Sequence, residues 1–249
     1  MAAPLPISRR SLRWPRIAPM ACALLVVSMV GGCRHERTPA DVVTEHRDAL
    51  EQRLARIERI DTLLQTLPPL RGSDMEVGER PVPRFQAAGA LPANALLVPL
   101  SVLHDPARPG SDPLDVGSRT ALSNVAAWLE TGADLAGTTD VTTQRVDGWF
   151  REVLALRYVA VLRVTRFEKP SMIMESLVPG LVEGEVVLFD LPEARPLGGY
   201  SFTARSEPGT TGSERALVAA LKVQGRAAIE AGWSQLLGPP GPLAGLPDS

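Results

Sequence analysis

The chain has 249 residues, of which 26 are lysine or arginine and 28 aspartate or glutamate, a formal charge of −2 at pH 7. That length supports one domain with a real core rather than two, and so even a balance argues against a nucleic-acid binder, which needs a basic face. Two cysteines, Cys22 and Cys33, are too few for a disulfide framework or a cysteine-ligated cluster.

Residues 1–32 carry Arg9, Arg10, Arg13 and Arg16 and no acidic side chain, and a mostly apolar run from Ile17 to Val30 follows. A positive start, an apolar middle and small residues at the end make the layout of a secretory signal. At about fourteen residues the run is short of the ~20 that cross a bilayer as a helix, and Pro19 removes part of its first turn. The run ends Val30-Gly31-Gly32-Cys33. This stretch resembles the lipobox of bacterial lipoproteins, in which an aliphatic residue and two small ones precede cysteine. The resemblance covers residues 1–33 only. It implies cleavage before Cys33, a diacylglycerol on its thiol and a cell-envelope location, with the membrane as partner through two or three acyl chains, enough for stable anchoring. Arg34, where lipoproteins kept in the inner membrane carry aspartate, implies the outer membrane by the same family rule. Ser8-Arg9-Arg10-Ser11-Leu12 partly resembles a twin-arginine export signal, though Arg13 and Trp14 do not continue it, so the general secretory route is the expectation. An ordinary signal peptide with a cysteine beside its cleavage site is the alternative.

Cleavage would remove four basic residues and no acid, leaving a body with a charge of −6 and no free thiol. Thr38-Pro39-Ala40-Asp41 reads as a helix start: threonine as N-cap, proline at the first helical position, an acid at the third. The helix is expected to reach Thr66 and stop before Pro68-Pro69. Val43, Leu50, Ile57 and Leu64 recur every seven residues, and Leu54, Ile60 and Leu67 widen the stripe. His46 and Arg53 break the second row of heptads, which favours packing on the body over a dimeric coiled coil. Residues 68–93 lack periodicity and read as a linker. A strand is expected over Ala95 to Leu103, then a polar loop to Ser111, then a helix capped by Asp112 with Leu122, Val125, Ala126 and Leu129 on its apolar face. A further helix, Asp140 to Leu156, precedes three strands. The first, Tyr158 to Phe167, begins almost wholly apolar, as a central strand covered on both faces does. Glu183 to Leu191 and Gly198 to Arg205 are joined closely enough to pair as an antiparallel hairpin. Thr211-Gly212-Ser213-Glu214 is a capping box opening a last helix, and residues 238–249, rich in proline and glycine, read as a disordered tail.

The expected organisation is thus a signal peptide over 1–32, a lipidated N-terminus with its helix over 33–67, a linker over 68–93, a globular domain over 94–237, and the tail. Its expected class is α+β: a mainly antiparallel sheet of about four strands with helices on one face.

The chemical inventory is thin. The three histidines, His35, His46 and His104, form no His-x-x-x-His pair, and neither a Gly-x-Ser-x-Gly elbow nor a phosphate-cradling Gly-x-x-x-x-Gly-Lys loop is present. No metal or cofactor is expected. His104-Asp105 offers an acid–base pair, but a solvated loop histidine explains it as well. Glu183 and Glu185, two apart on one strand, could place carboxylates over a sugar, although alternate acids usually mark a solvent face. Lys169 to Gly180 is too long and apolar for a plain turn. Met172, Ile173, Met174 and Leu177 within it are therefore candidates for an interaction surface, against the simpler reading that the segment completes the core or extends its strands. The expectation is a non-enzymatic interaction module meeting an envelope protein. A small-ligand or glycan binder, or a hydrolase using Glu183, Glu185 or His104, is the second reading, and a spacer with helix 39–66 as stalk the third.

Overall fold

The computed structural model describes residues 37–70, 73–75, 83–85, 93–108, 110–116, 120–131, 142–173, 176–206 and 213–237. The signal, the lipobox with Cys33, Met174, Thr211 and the tail lie outside them. The helix start at Thr38 is as expected: its Oγ1 accepts from Asp41 N at 3.3 Å, and Asp41 Oδ2 accepts from Thr38 N at 2.8 Å. Helix α1, Pro39–Thr66, ends ahead of the two prolines. It buries the seven-residue row Val43, Leu50, Ile57 and Leu64 together with Val42 and Ile60. That face packs on α2, Leu100–His104, on α3, Ala121–Thr131, and on α4, Thr143–Ala155. Arg53, one of the two residues that break the second heptad row, has a task there. Its guanidinium donates to the carbonyl oxygens of Leu154 and Leu156, each at 2.9 Å, and so caps the end of α4, where a helix leaves carbonyls unpaired.

Five strands form one sheet: β1, Ser73–Met75; β2, Ala95–Pro99; β3, Tyr158–Glu168; β6, Leu181–Asp190; and β7, Arg195–Arg205. Their order is β1-β7-β6-β3-β2. Two short strands between β3 and β6, β4 at Ser171–Ile173 and β5 at Ser176–Val178, pair only with each other. The expected α+β composition holds, but the sheet is mixed, because β2 lies parallel to β3 while the other neighbours are antiparallel. The reason is topological. Three helices separate β2 from β3, and a chain that crosses one face of a sheet between neighbouring strands returns in the same direction.

Helices also cover both faces, not one as expected. Val98, Val159, Val161, Val187 and Phe189 meet α1, α3 and α4, whereas Ala160, Leu162, Val186, Leu188, Tyr200 and Phe202 meet α5, Glu214–Leu237. Residues 158–162 of β3 are buried throughout, and a strand apolar on both sides needs both layers. Ser213 caps α5, its Oγ accepting from Ala216 N at 3.3 Å. Gly232 lets the helix settle on the sheet, since a Cβ there would stand 2.1 Å from Tyr200 Cε2. The Tyr200 hydroxyl donates to Ile229 O at 2.6 Å, and the Tyr200 ring meets Trp233 edge-on.

Several boundaries differ from the sequence expectation. The strand opening at Ala95 ends at Pro99, where α2 takes over. Asp112 caps a turn instead of a helix: its carboxylate accepts from Val116 N at 2.5 Å, and the left-handed Asp115, φ 56°, diverts the chain before α3 can begin. Thr120 is the residue that serves α3, accepting from Ser123 N at 3.2 Å. The stretch expected to be a linker supplies β1 and the buried Phe85, whose ring lies 5.1 Å from that of Trp233.

Candidate functional site

The segment singled out as an apolar loop is a ribbon. Met172 faces Leu177, and Ile173 faces Ser176, so β4 and β5 carry the β3–β6 hairpin past its last pair, Glu168 and Leu181. Only the backbone is described at Met172, Ile173 and Leu177. Val178 is exposed, and the ribbon's root is held by Gly180 N, which donates to Ser206 Oγ at 3.0 Å.

Glu183 and Glu185 have parted company. Glu183 is half-exposed, with a carboxylate oxygen 3.8 Å from Arg166 Nη1. Glu185 is 2 % exposed, which corrects the solvent-face reading for this residue. It forms an ion pair with Arg163, the residue directly across on β3, and accepts from Leu70 N at 2.7 Å. Arg163 Nη1 in turn donates to Leu64 O at 3.2 Å. The group ties the exit of α1 to the sheet, and it holds the Glu185 carboxylate apart from that of Glu183.

His104 is paired, though with a partner the sequence order did not suggest. Its Nδ1 lies 3.1 Å from Asp61 Oδ2 on α1, not against neighbouring Asp105. Asp61 is largely buried and also accepts from Gln65 Nε2 at 3.3 Å, while the His104 side chain is 73 % exposed. Sequence reasoning passed over Asp61. The signal was its position seven residues after Leu54, an acid in a row that begins apolar.

This pair sits in a cleft of about 540 Å³ between α1 and the α2–α3 side of the helical layer. Leu54, Ile57, Leu103, Ala126 and Leu129 give it an apolar floor, and Glu51, Glu58, Asp61, Asp105 and Glu130 give it an acidic rim. Arg47 pairs with Glu51 at 3.2 Å, and Arg108 with Glu130 at 3.4 Å. With Nδ1 turned to Asp61, the His104 Nε2 is left to face a ligand or water, which is half of an acid–base dyad. Among the described residues lining the cleft there is no serine, threonine, cysteine, tyrosine or lysine to act as nucleophile, and no cluster of metal-ligating side chains occurs among the described residues. Concavity, an apolar floor and a few convergent polar groups are what binding sites have in common. Outside the cleft, burial pushes the Tyr200 phenol far up and raises the carboxyl of Asp112.

No protein family, curated protein or solved structure matches the chain.

Proposed function

We propose that this chain is a lipid-anchored protein of the cell envelope, fixed through Cys33 and favouring the outer membrane, whose folded part binds a protein partner rather than transforming a substrate. The observation that carries the reading is the cleft: apolar below, acidic above, a concave surface of the kind that binds a partner. The β4–β5 ribbon is a second surface available to the same partner. The spacer reading loses ground because α1 buries its apolar row against the other helices instead of standing clear.

The anchor and the binding role are tested together in the native envelope. Cys33→Ala should move the protein to the soluble fraction and abolish labelling by fatty acid; retention in the membrane would overturn the anchor. A photoreactive side chain at Leu54, with another at Met172 as comparison, should capture the same envelope protein repeatedly, and capture of nothing by folded, membrane-bound protein would overturn the binding role. A hydrolytic reading has one specific observation behind it, the His104–Asp61 pair, which resembles the base and orienting group of water-activating sites. Any hydrolytic turnover that disappears in His104→Ala would favour it.

A further inference from the structure

We propose that the cleft between α1 and the α2–α3 side receives one face of a short basic amphipathic helix belonging to a protein partner; this rests on the binding role above and names the chemistry of the occupant. Three observations converge on it. The first is shape. From Glu51 to Asp61 the cleft follows eleven residues of α1, about 15 Å end to end at the rise of a helix. Glu51, Ala55, Glu58, His104, Asp105 and Glu130 stand exposed along it, so the site is a groove rather than an enclosed pocket. A small ligand would leave much of such a groove wet, whereas a helix of two to three turns matches its length.

The second is the nature of the walls. All of them come from helices or the turn after α2, and none is a strand edge. An extended peptide laid there would find no ladder to pair with, and its backbone groups would be stranded. A helix brings its own hydrogen bonds and needs only a place for its apolar stripe. The half-buried Leu54 and Leu129 provide that place, with Leu103 buried beneath them.

The third is charge. Glu51 and Glu130 already hold arginines, and Asp61 holds His104. Glu58 and Asp105 have no ion pair among the described residues, although Asp105 Oδ1 accepts from Arg108 N at 3.0 Å. They rise from opposite walls, so lysines or arginines flanking an apolar stripe meet a carboxylate on either side. An anionic membrane surface or an acidic segment would be repelled by the same rim.

The test uses the full lipidated protein in discs of zwitterionic lipid, with empty discs as the blank. Binding is read by fluorescence anisotropy with three labelled peptides of about twelve residues: a leucine–lysine amphipathic helix, the same pattern with glutamate for lysine, and the lysine version broken by a central proline. The intact basic helix should bind and the other two should not. In the double variant Glu58→Gln, Asp105→Asn its affinity should fall by about tenfold, with the melting temperature kept, whereas Glu193→Gln on the far turn should change nothing. Equal binding of acidic and basic helices, equal binding of the proline-broken peptide, or indifference to the double variant would overturn the proposal. If no peptide binds while photoreactive Leu54 still captures one envelope protein, the helix assignment falls and the binding role stands. If Leu54 captures nothing either, both fall.

Discussion

Glu185 and Arg163 face each other across β6 and β3, with Leu70 N and Leu64 O completing the group. Removing one member strands the other, so Glu185→Ala should cost about 2–4 kcal/mol in urea unfolding, a little under the usual figure because Arg163 keeps some contact with water. Replacing the pair together, Glu185→Leu with Arg163→Met, should recover part of that loss, the remainder being Leu70 N and Leu64 O left without their side-chain partners. A double variant as weak as the single one would mean that those backbone bonds, not the buried charge, set the cost. Asp112 behaves in the opposite sense. Burial raises its carboxyl pKa, although hydrogen bonds from Val116 and Leu114 pull the other way. A carboxyl raised by folding is a penalty on the charged native state. The penalty is fully present above the folded pKa and fades as pH falls to the unfolded value near ~4. Asp112→Asn keeps an oxygen for Val116 N and drops the charge. It should therefore stabilise the fold at pH 7 and make no difference at pH 3, compared by denaturant midpoints at the two pH values.

At the scale of elements, the seating of α5 on the sheet depends on one missing methyl group. Gly232→Ala improves helix propensity by about 1 kcal/mol, but its Cβ would drive into the Tyr200 ring. Overpacking of that kind costs more than the propensity returns, so a net loss of about 1–3 kcal/mol is expected in a thermal or urea melt. A stabilised variant would show that the helix can lift off the sheet at little cost. Helix α5 also shows what could be read ahead of the structure. Periodicity was enough for α1, α4, the apolar start of β3 and the β6–β7 hairpin, because each presents a regular stripe or a strand fit for burial on both faces. It was not enough where a local signal has two uses. Asp112 before proline suits a helix cap and an Asx-type turn alike, and the left-handed Asp115 decides between them. Helix propensity alone marks Gly232 as a weak point of α5, whereas in the fold it is a contact. Of the cleft, His104 was visible and Asp61 was not, because a residue in α1 and one after β2 meet only through the packing of α1 on α2, which no local pattern encodes. Glu185 was misjudged for a related reason: its arginine lies across a strand register that alternation does not reveal.

At the scale of the molecule, the described residues from Arg37 onward form one compact unit, and α1 is part of its core rather than an appendage. Deleting residues 39–66 should expose the apolar layer made by Val98, Val159, Val161 and Phe189. The shortened protein should lose its cooperative thermal transition by circular dichroism and bind a hydrophobic dye; a sharp, unchanged melt would restore α1 to the status of a stalk. The strand order also bears on when this protein can fold. Ala95 of β2 pairs with Tyr158, and Ser73 of β1 pairs with Tyr200, so both edge strands wait for partners made much later, while β3, β6 and β7 follow one another along the chain with only the β4–β5 ribbon and the turn after Asp190 between them. The ribosome therefore releases both edges well before the strands that will receive them, and contacts so distant along the chain form slowly. Helix α1, nearest the proposed lipid, likewise emerges long before α4, its main packing partner, and through that interval its apolar row is open to any chaperone able to hold it.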